Sequence, residues 1–520
     1  MIPPPVGGVN YRDAWVNMQP QDAIVLDNMI PTQSGVEQRP GWQYFSATTN
    51  AAIRSVFAYN AGSSANSKLF AGSAGKIYDV TSGTPSLVVA AGSTNDMWST
   101  AHFSTTAGIF LLAVSPGAGY YTYDPTGGWI LRTPAGLPAN PTSVAVFKNR
   151  VWFTIQNSAS LWYLDTVNAI TGTAVEFPIG AQLKHGGAAI GLTNWTIDGG
   201  IGVDDYFVAF GAEGDVVIWQ GTDPTSTANF SVHGTWYVGP VPTSGRFFTN
   251  VGGDVIVLSV MGLVPLSKLI SGSWNDPQDG PTSKIQKQIQ PLVQEQRTTV
   301  SWDVSMVPKQ NLLIIRPPQA STGEYVQFAL NVNTNAWCTF SNIPMTCATT
   351  LGDITYCGTS DGRVFKVFVG NLDAVESNGT GGTNVEGDIQ TAFAALGSSA
   401  QLKKFNLAHP IFVAPQSPSV KLQMNTQFTF QGVPGSPSFT SSSGSTWSSG
   451  VWNVARWVGG TNTYQAWVGV TGLGYYGSTR RKVRGAAAAP LTAGQLLAEL
   501  WGACSACWSP PRPACTRRAG

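Results

Sequence analysis

The sequence predicts an all-β chain, a β-propeller of about six to eight blades followed by a C-terminal all-β domain. Three observations predict it. Strand–turn–strand units recur between residues 68 and 367. Glycine is abundant, at 58 residues, and 11% of residues are aromatic while only 11% are charged; that balance favours many short strands joined by tight turns. Helical periodicity is confined to about 283–296, 388–396 and 491–501.

The repeating unit is a hydrophobic strand, a short Gly/Ser/Asp turn and an aromatic-rich strand, as in KLFAGSAGKIYDV (68–80) and RVWFTIQNSASLWYLD (150–165). Unit starts at Leu69, Ile109, Val151, Tyr206, Val255, Leu312 and Ile354 lie 40, 42, 55, 49, 57 and 42 residues apart. The shorter spacings match the period of propeller blades and the longer ones leave room for insertions. A four-stranded blade cannot bury both its faces alone, whereas blades stacked around an axis bury them against one another. A string of β-sandwiches is the competing architecture.

In chain order, residues 1–50 read as an arm leading into the first blade and 51–374 as the propeller. A polar insertion falls near 271–297; within it Ile285, Ile289, Leu292 and Val293 have helical spacing, and Pro291 would kink such a helix. A polar helix and a loop with buried anchors fit it equally. Residues 375–387 read as a Gly-rich linker, 388–484 as the second β-domain, and 485–520 as an atypical, poorly ordered tail. In that tail a frameshifted end and a short helix with a disordered extension both fit the Ala-, Cys-, Pro- and Arg-rich composition.

The charge balance is 29 basic against 28 acidic residues, a formal net charge of +1. No general attraction to nucleic acid or to an anionic membrane follows from it. The sparsely charged surface suits permanent assembly. MIPPPVGGVN has neither the basic segment nor the apolar region of a secretory signal, and no apolar run approaches the roughly 18 residues of a membrane helix. Synthesis and assembly in a cytoplasm are expected.

Candidate chemistry is sparse. His102, His185, His233 and His409 are far apart and lack metal-ligand spacing. Cys338, Cys347 and Cys357 read as buried free thiols, and Cys504, Cys507 and Cys515 as an incidental tail motif. GSAGK (72–76) lacks the first glycine and the Ser/Thr of a phosphate loop and reads as a hairpin turn. Asp204, Asp205, Glu213 and Asp215 are candidate glycosidase carboxylates, but Glu213 and Asp215 flank a turn glycine, where solvated acids are common. Arg480, Arg481, Lys482 and Arg484 form the one basic run, read as a solvated face or a subunit contact. No enzyme, cofactor, metal or small-molecule substrate is expected.

Two short motifs carry a resemblance. Leu26, Asn28, Pro31, Gly35, Arg39 and Gly41 form Leu-x-Asn-x-x-Pro-x-x-x-Gly-x-x-x-Arg-x-Gly. This resembles the N-terminal signature of the tail hub (nozzle) proteins of short-tailed bacteriophages, the packaged-DNA stabilisation family. TAFAALGSSAQLKKFNLAHPIF (391–412), with Leu396, Gly397, Lys403, Lys404, Phe405, His409 and Pro410, resembles the C-terminal domain of that group. The resemblance spans roughly residues 10–484; the tail departs from it.

What the resemblance implies is a virion tail protein assembled in the host cytoplasm as a homo-oligomeric ring, usually of six copies. Such a ring sits between the portal-adaptor ring and the distal tail proteins. It continues and closes the channel, so that double-stranded DNA passes its lumen without sequence-specific contacts. Pro31, Gly35 and Gly41 are then expected as turns and Arg39 as paired with a carboxylate or carbonyl inside the arm. A glycan-binding adhesin and a polysaccharide-degrading tail protein are the alternatives.

Overall fold

The ring is closed by its own N-terminus. Strand Trp42–Tyr44 pairs antiparallel with Val364–Val367, setting Tyr44 opposite Phe365 and Trp42 opposite Val367. The computed structural model describes residues 2–63, 66–198, 203–226, 228–272, 280–318, 325–414, 418–433, 462–465, 467–484 and 492–493. Among these the chain is nearly all β, with two α-helices, Leu266–Ile270 and Gln286–Gln296.

Six small sheets are arranged as propeller blades. Blade one is Ile53–Tyr59, Lys68–Ser73, Lys76–Asp79 and Ser86–Val89; blade two is Ser99–Thr105, Gly108–Ser115, Gly119–Asp124 and Gly128–Arg132. Blade three is Pro141–Phe147, Arg150–Ile155, Ser160–Leu164 and Ala174–Pro178; blade four is Ala189–Asp198, Val203–Gly211, Asp215–Gly221 and Phe230–Tyr237. Blade five has three strands, Phe248–Val251, Asp254–Ser259 and Gly262–Pro265. Blade six is Ala348–Leu351, Ile354–Gly358 and Val364–Val367, completed by Trp42–Tyr44 and extended by the hairpin Leu372–Val375/Gly381–Asn384.

Between blades five and six lies a further, larger sheet. From the short edge strand Gly245–Arg246 it runs through Trp302–Val307, Leu312–Arg316, Val326–Asn331 and Ala336–Ser341, and Trp302–Val307 touches the first strands of both flanking blades. It continues through Asp22–Asp27, Glu386–Thr391, Gly477–Arg484 and Ser419–Thr426. Each of the seven unit starts read from sequence falls in the second strand of its unit, six in blades and Leu312 in this sheet.

Burial explains why those strands were visible. Second strands are buried on both faces, as in Gly108–Ser115, and form apolar runs; outer strands such as Ser86–Val89 and Ala174–Pro178 are mostly exposed. Between blades, aromatic rings interlock: Trp152 lies 4.6 Å from Phe207 and 5.8 Å from Phe230, a geometry that adds to area burial. A polar tie recurs where the turn between the second and third strands meets the loop entering its blade. Ser73 Oγ lies 3.0 Å from Thr49 Oγ1, Ser115 Oγ 2.7 Å from Ser93 Oγ, and Asp215 Oδ2 accepts from the His185 amide at 2.8 Å.

Several expectations change. The helix signal at 388–396 is overridden by strand Glu386–Thr391, whose Ile389 is fully buried opposite both Leu26 and Arg481. The 375–387 stretch, expected as a linker, supplies half of the blade-six hairpin and the start of Glu386–Thr391. The arm does more than enter the first blade, since Asp22–Asp27 is an interior strand of the larger sheet. The insertion resolves as helix Gln286–Gln296, running through Pro291 with Ile285, Ile289 and Val293 fully buried. In the tail, Thr492–Ala493 pairs with Val36–Gln38 and Ile411–Ala414; the rest of 485–520, with Cys504, Cys507 and Cys515, lies outside the described residues.

Candidate functional site

The N-terminal signature builds one buried joint. Hairpin Met29–Pro31/Val36–Gln38 turns through Thr32–Gly35, with the Thr32 amide donating to Gly35 O at 2.8 Å. It carries Arg39 back beside Asn28, which holds the left-handed backbone conformation at φ 56°, one of the few that asparagine tolerates readily. Every N–H of the Arg39 guanidinium has an acceptor. Nε donates to Asn28 Oδ1 at 2.7 Å, Nη1 to Asp373 Oδ1 at 2.8 Å and Pro40 O at 3.1 Å, and Nη2 to Asp373 Oδ2 at 2.7 Å and Ser341 O at 3.0 Å. The carboxylate therefore comes from the far end of the propeller and not from inside the arm; the arm contributes Pro40 O and Asn28.

Asn28 completes the joint. Its Nδ2 donates to Ser341 Oγ at 2.9 Å and to Glu386 O at 3.0 Å, and its Oδ1 also accepts the Ser341 amide at 3.1 Å. One asparagine thus links the arm, the larger sheet and the first strand of the C-terminal domain. Leu26 is fully buried beneath it, and Pro31 O accepts Asn331 Nδ2 at 2.8 Å. Gly41 is not a turn. A Cβ there would sit 1.9 Å from Leu372 O, so glycine is required for close backbone approach. Asp27, opposite Asp388 in the ladder, has its pKa raised, first by burial and further by Asp388, against hydrogen bonds from Ser341 and Thr339.

The C-terminal signature also gathers in one place. Phe405 is buried with Leu422, Met424 and Val470, and Leu396 packs against them. Leu396 and Gly397 take positive φ, at 48° and 114°, to turn the chain. Lys403 Nζ ties that turn to the bend between strands Val468–Gly474 and Gly477–Arg484 by donating to Ser398 O at 2.6 Å and Tyr475 O at 3.2 Å. His409 stacks on Trp467 at 4.5 Å, with Pro410 buried beside it; Lys404 stays exposed. The two signatures form separate clusters on one connected framework.

Three of the four cations in the basic run are paired, sharing two carboxylates, Asp388 and Glu386. Arg480 donates to both oxygens of Asp388 at 3.1 and 2.7 Å, and Lys482 and Arg484 each reach Glu386 at 2.7 Å. Lys482 leads in holding Glu386 below its ordinary carboxylate pKa. Arg481 points to the buried face, where desolvation lowers its pKa to about 9. Sequence reading missed these pairs because their members lie more than 90 residues apart.

The remaining candidates fill structural positions. Asp205 pairs with Lys148, Glu213 with Arg297 at 3.0 Å, and Asp215 with His185 Nδ1 at 2.7 Å; the side chain of Asp204 lies outside the described residues. His102 stacks on Tyr59, and His233 packs against Tyr206 and Trp236. Cys338, Cys347 and Cys357 are buried and free, and burial raises each thiol's pKa. GSAGK is a hairpin turn with Ala74 and Gly75 both at positive φ. Among the described residues no His/Cys/Asp/Glu group could hold a metal ion, and no helix is long and apolar enough to cross a membrane. A cavity of about 850 Å³ runs along the propeller axis, lined by the first strands of blades two to four and by Trp98, His102, Gln156, Asn157, Glu213 and Arg246.

No protein-family model matches the chain, and no curated protein matches it. Among solved structures it is similar to the computationally designed Ika8 protein, at 12% identity and a TM-score of 0.36, covering 64% of this chain and 100% of that one. It is also similar to BBS1N, solved in complex with ARL6DN, at 11% identity and a TM-score of 0.38, covering 63% and 97%. Neither similarity bears on function.

Proposed function

We propose that this chain is a structural ring component of a short-tailed phage tail, placed below the portal and its adaptor, which continues and closes the DNA channel. The observation that carries this reading is the joint around Asn28 and Arg39. The residues of the N-terminal signature weld arm, propeller and C-terminal sheet through buried, fully bonded groups. A part that bears the load of packaged DNA benefits from such a weld, because buried networks fix one arrangement of the elements they join. The pairing of Arg480, Lys482 and Arg484 with Asp388 and Glu386 supports the reading from another side. DNA sliding through a lumen is slowed by every unpaired phosphate-binding cation, and here these cations are paired within the chain. The test is a particle lacking the protein. Its heads should fill with DNA and then lose it, and restoring the protein should restore retention; stably filled heads without it would refute the proposal.

A second reading, glycan binding, is favoured by one feature. The cavity of about 850 Å³ is lined by the amides Gln156 and Asn157 and by the aromatic His102. Titration with neutral oligosaccharides separates the two, since the ring proposal expects no binding there.

A further inference from the structure

Between helix Gln286–Gln296 and strand Val326–Asn331 lies a second cavity, of about 240 Å³. Arg316 lines it, although only 3% of that residue is exposed. The guanidinium is held from behind, with Nε donating to Met345 O and Nη1 to Ser301 O. Its Nη2 has no hydrogen-bond partner among the described residues. Charge is also uncompensated. Arg316 stands opposite Asp303 in the ladder, but Asp303 is shared with Arg246, whose Nε lies 3.0 Å from Asp303 Oδ1. Two guanidinium groups thus face one buried carboxylate, and no carboxylate lines the cavity among the described residues.

The second polar group is Gln327, 1% exposed. Its Nε2 donates to Ile343 O at 3.0 Å, which fixes the amide orientation and leaves Oε1 as an acceptor without a partner. Gln296 Oε1, also on the cavity wall, is likewise buried and unpartnered. Leu292, Pro317 and Phe328 supply apolar walls. A cationic edge, unsatisfied acceptors and an apolar lining define the complement. We infer that this cavity binds a small organic carboxylate that carries a hydroxyl or N–H donor next to its acid group. The carboxylate would take Arg316 Nη2, and the donor would take Gln327 Oε1 or Gln296 Oε1. Burial lowers the Arg316 pKa despite Asp303, as expected for a cation lacking a full counter-charge. An amide or guanidinium left unpaired in such a site is costly, so a ligand that satisfies both is selected strongly over one that satisfies neither.

The test uses matched ligands on the full chain. Binding of sodium lactate, sodium propionate and an N-acetylated tripeptide with a free C-terminal carboxylate is followed by calorimetry and thermal shift, against sodium chloride at equal ionic strength. The inference expects lactate or the peptide to bind at least fivefold more tightly than propionate, and which of the two binds better distinguishes a free metabolite from a protein terminus. Val326→Trp, at the exposed rim of the cavity, should weaken binding at least tenfold while leaving the fold intact. Gln296→Glu places a carboxylate inside the cavity and should raise the melting temperature without ligand while abolishing the response. Arg316→Gln should abolish binding if it folds; the other two variants keep the test decisive if it does not. Equal responses to lactate, propionate, the peptide and chloride, or binding that survives Val326→Trp, would overturn the inference.

Discussion

Replacing Asp373 with alanine removes the carboxylate that bonds directly to Arg39. The Arg39 side chain is 0% exposed and that of Asp373 8%, so solvent cannot take over the two lost hydrogen bonds. Breaking a buried ion pair by deleting one partner costs about 3–5 kcal/mol, because the other charge remains buried and uncompensated. The three bonds from Arg39 to Asn28, Pro40 and Ser341 hold the guanidinium in place and prevent it from swinging out. Asp373→Ala should therefore fall at the upper part of that range. The double variant Arg39→Met with Asp373→Leu removes both charges and should recover part of the loss, since apolar replacement of a buried pair is often close to neutral. Urea denaturation followed by tryptophan fluorescence measures all members of the cycle. A cost below about 1 kcal/mol for Asp373→Ala, the range of an exposed pair, would refute the claim that this contact welds the domains.

Three further outcomes follow from the same framework. Gly41→Ala puts a Cβ against the Leu372 carbonyl, which the neighbouring Gly41–Gly370 and Val369–Gly41 backbone bonds hold in place; it should cost at least about 2 kcal/mol by the same urea assay, and a neutral result would show that the approach can relax. Burial raises the Asp27 pKa, so the fold favours its protonated form; that contribution is complete below the unfolded-state pKa and is lost as pH rises through the folded-state value. Asp27→Asn should accordingly raise the melting temperature at pH 7 and leave it nearly unchanged at pH 4, and equal shifts at both would contradict this. The isolated protein should bind double-stranded DNA no better than about 10⁻⁴ M at physiological salt; sub-micromolar affinity in a fluorescence titration would mean that the Glu386 and Asp388 pairs open to release the basic run.

Which parts of the architecture could be read from sequence follows from where burial falls. Leu69, Ile109, Val151, Tyr206, Val255, Leu312 and Ile354 mark strands covered on both faces, so their apolar runs stand out and locate every unit. Outer strands such as Phe230–Tyr237 meet solvent and carry no such signal. The later part of Glu386–Thr391 looked helical because its strand state is imposed by neighbours on both sides, Asp22–Asp27 and Gly477–Arg484, which are distant in sequence. The signature residues were legible as a set, but their chemistry was not. Arg39 had to reach Asp373, 334 positions away, and Gly41 answers a carbonyl that only the folded chain brings near. The Arg316 cavity left no sequence mark at all, since a buried arginine between Ile315 and Pro317 reads as the end of a strand.

The ring itself is the most direct test of the account. Purified protein, alone and mixed with portal-adaptor rings, is examined by light scattering coupled to size-exclusion chromatography and by negative-stain imaging. The account predicts closed rings of about six copies around an open lumen, with the adaptor ring lowering the concentration at which they form. A chain that stays monomeric at every concentration, both alone and with the adaptor, would contradict it.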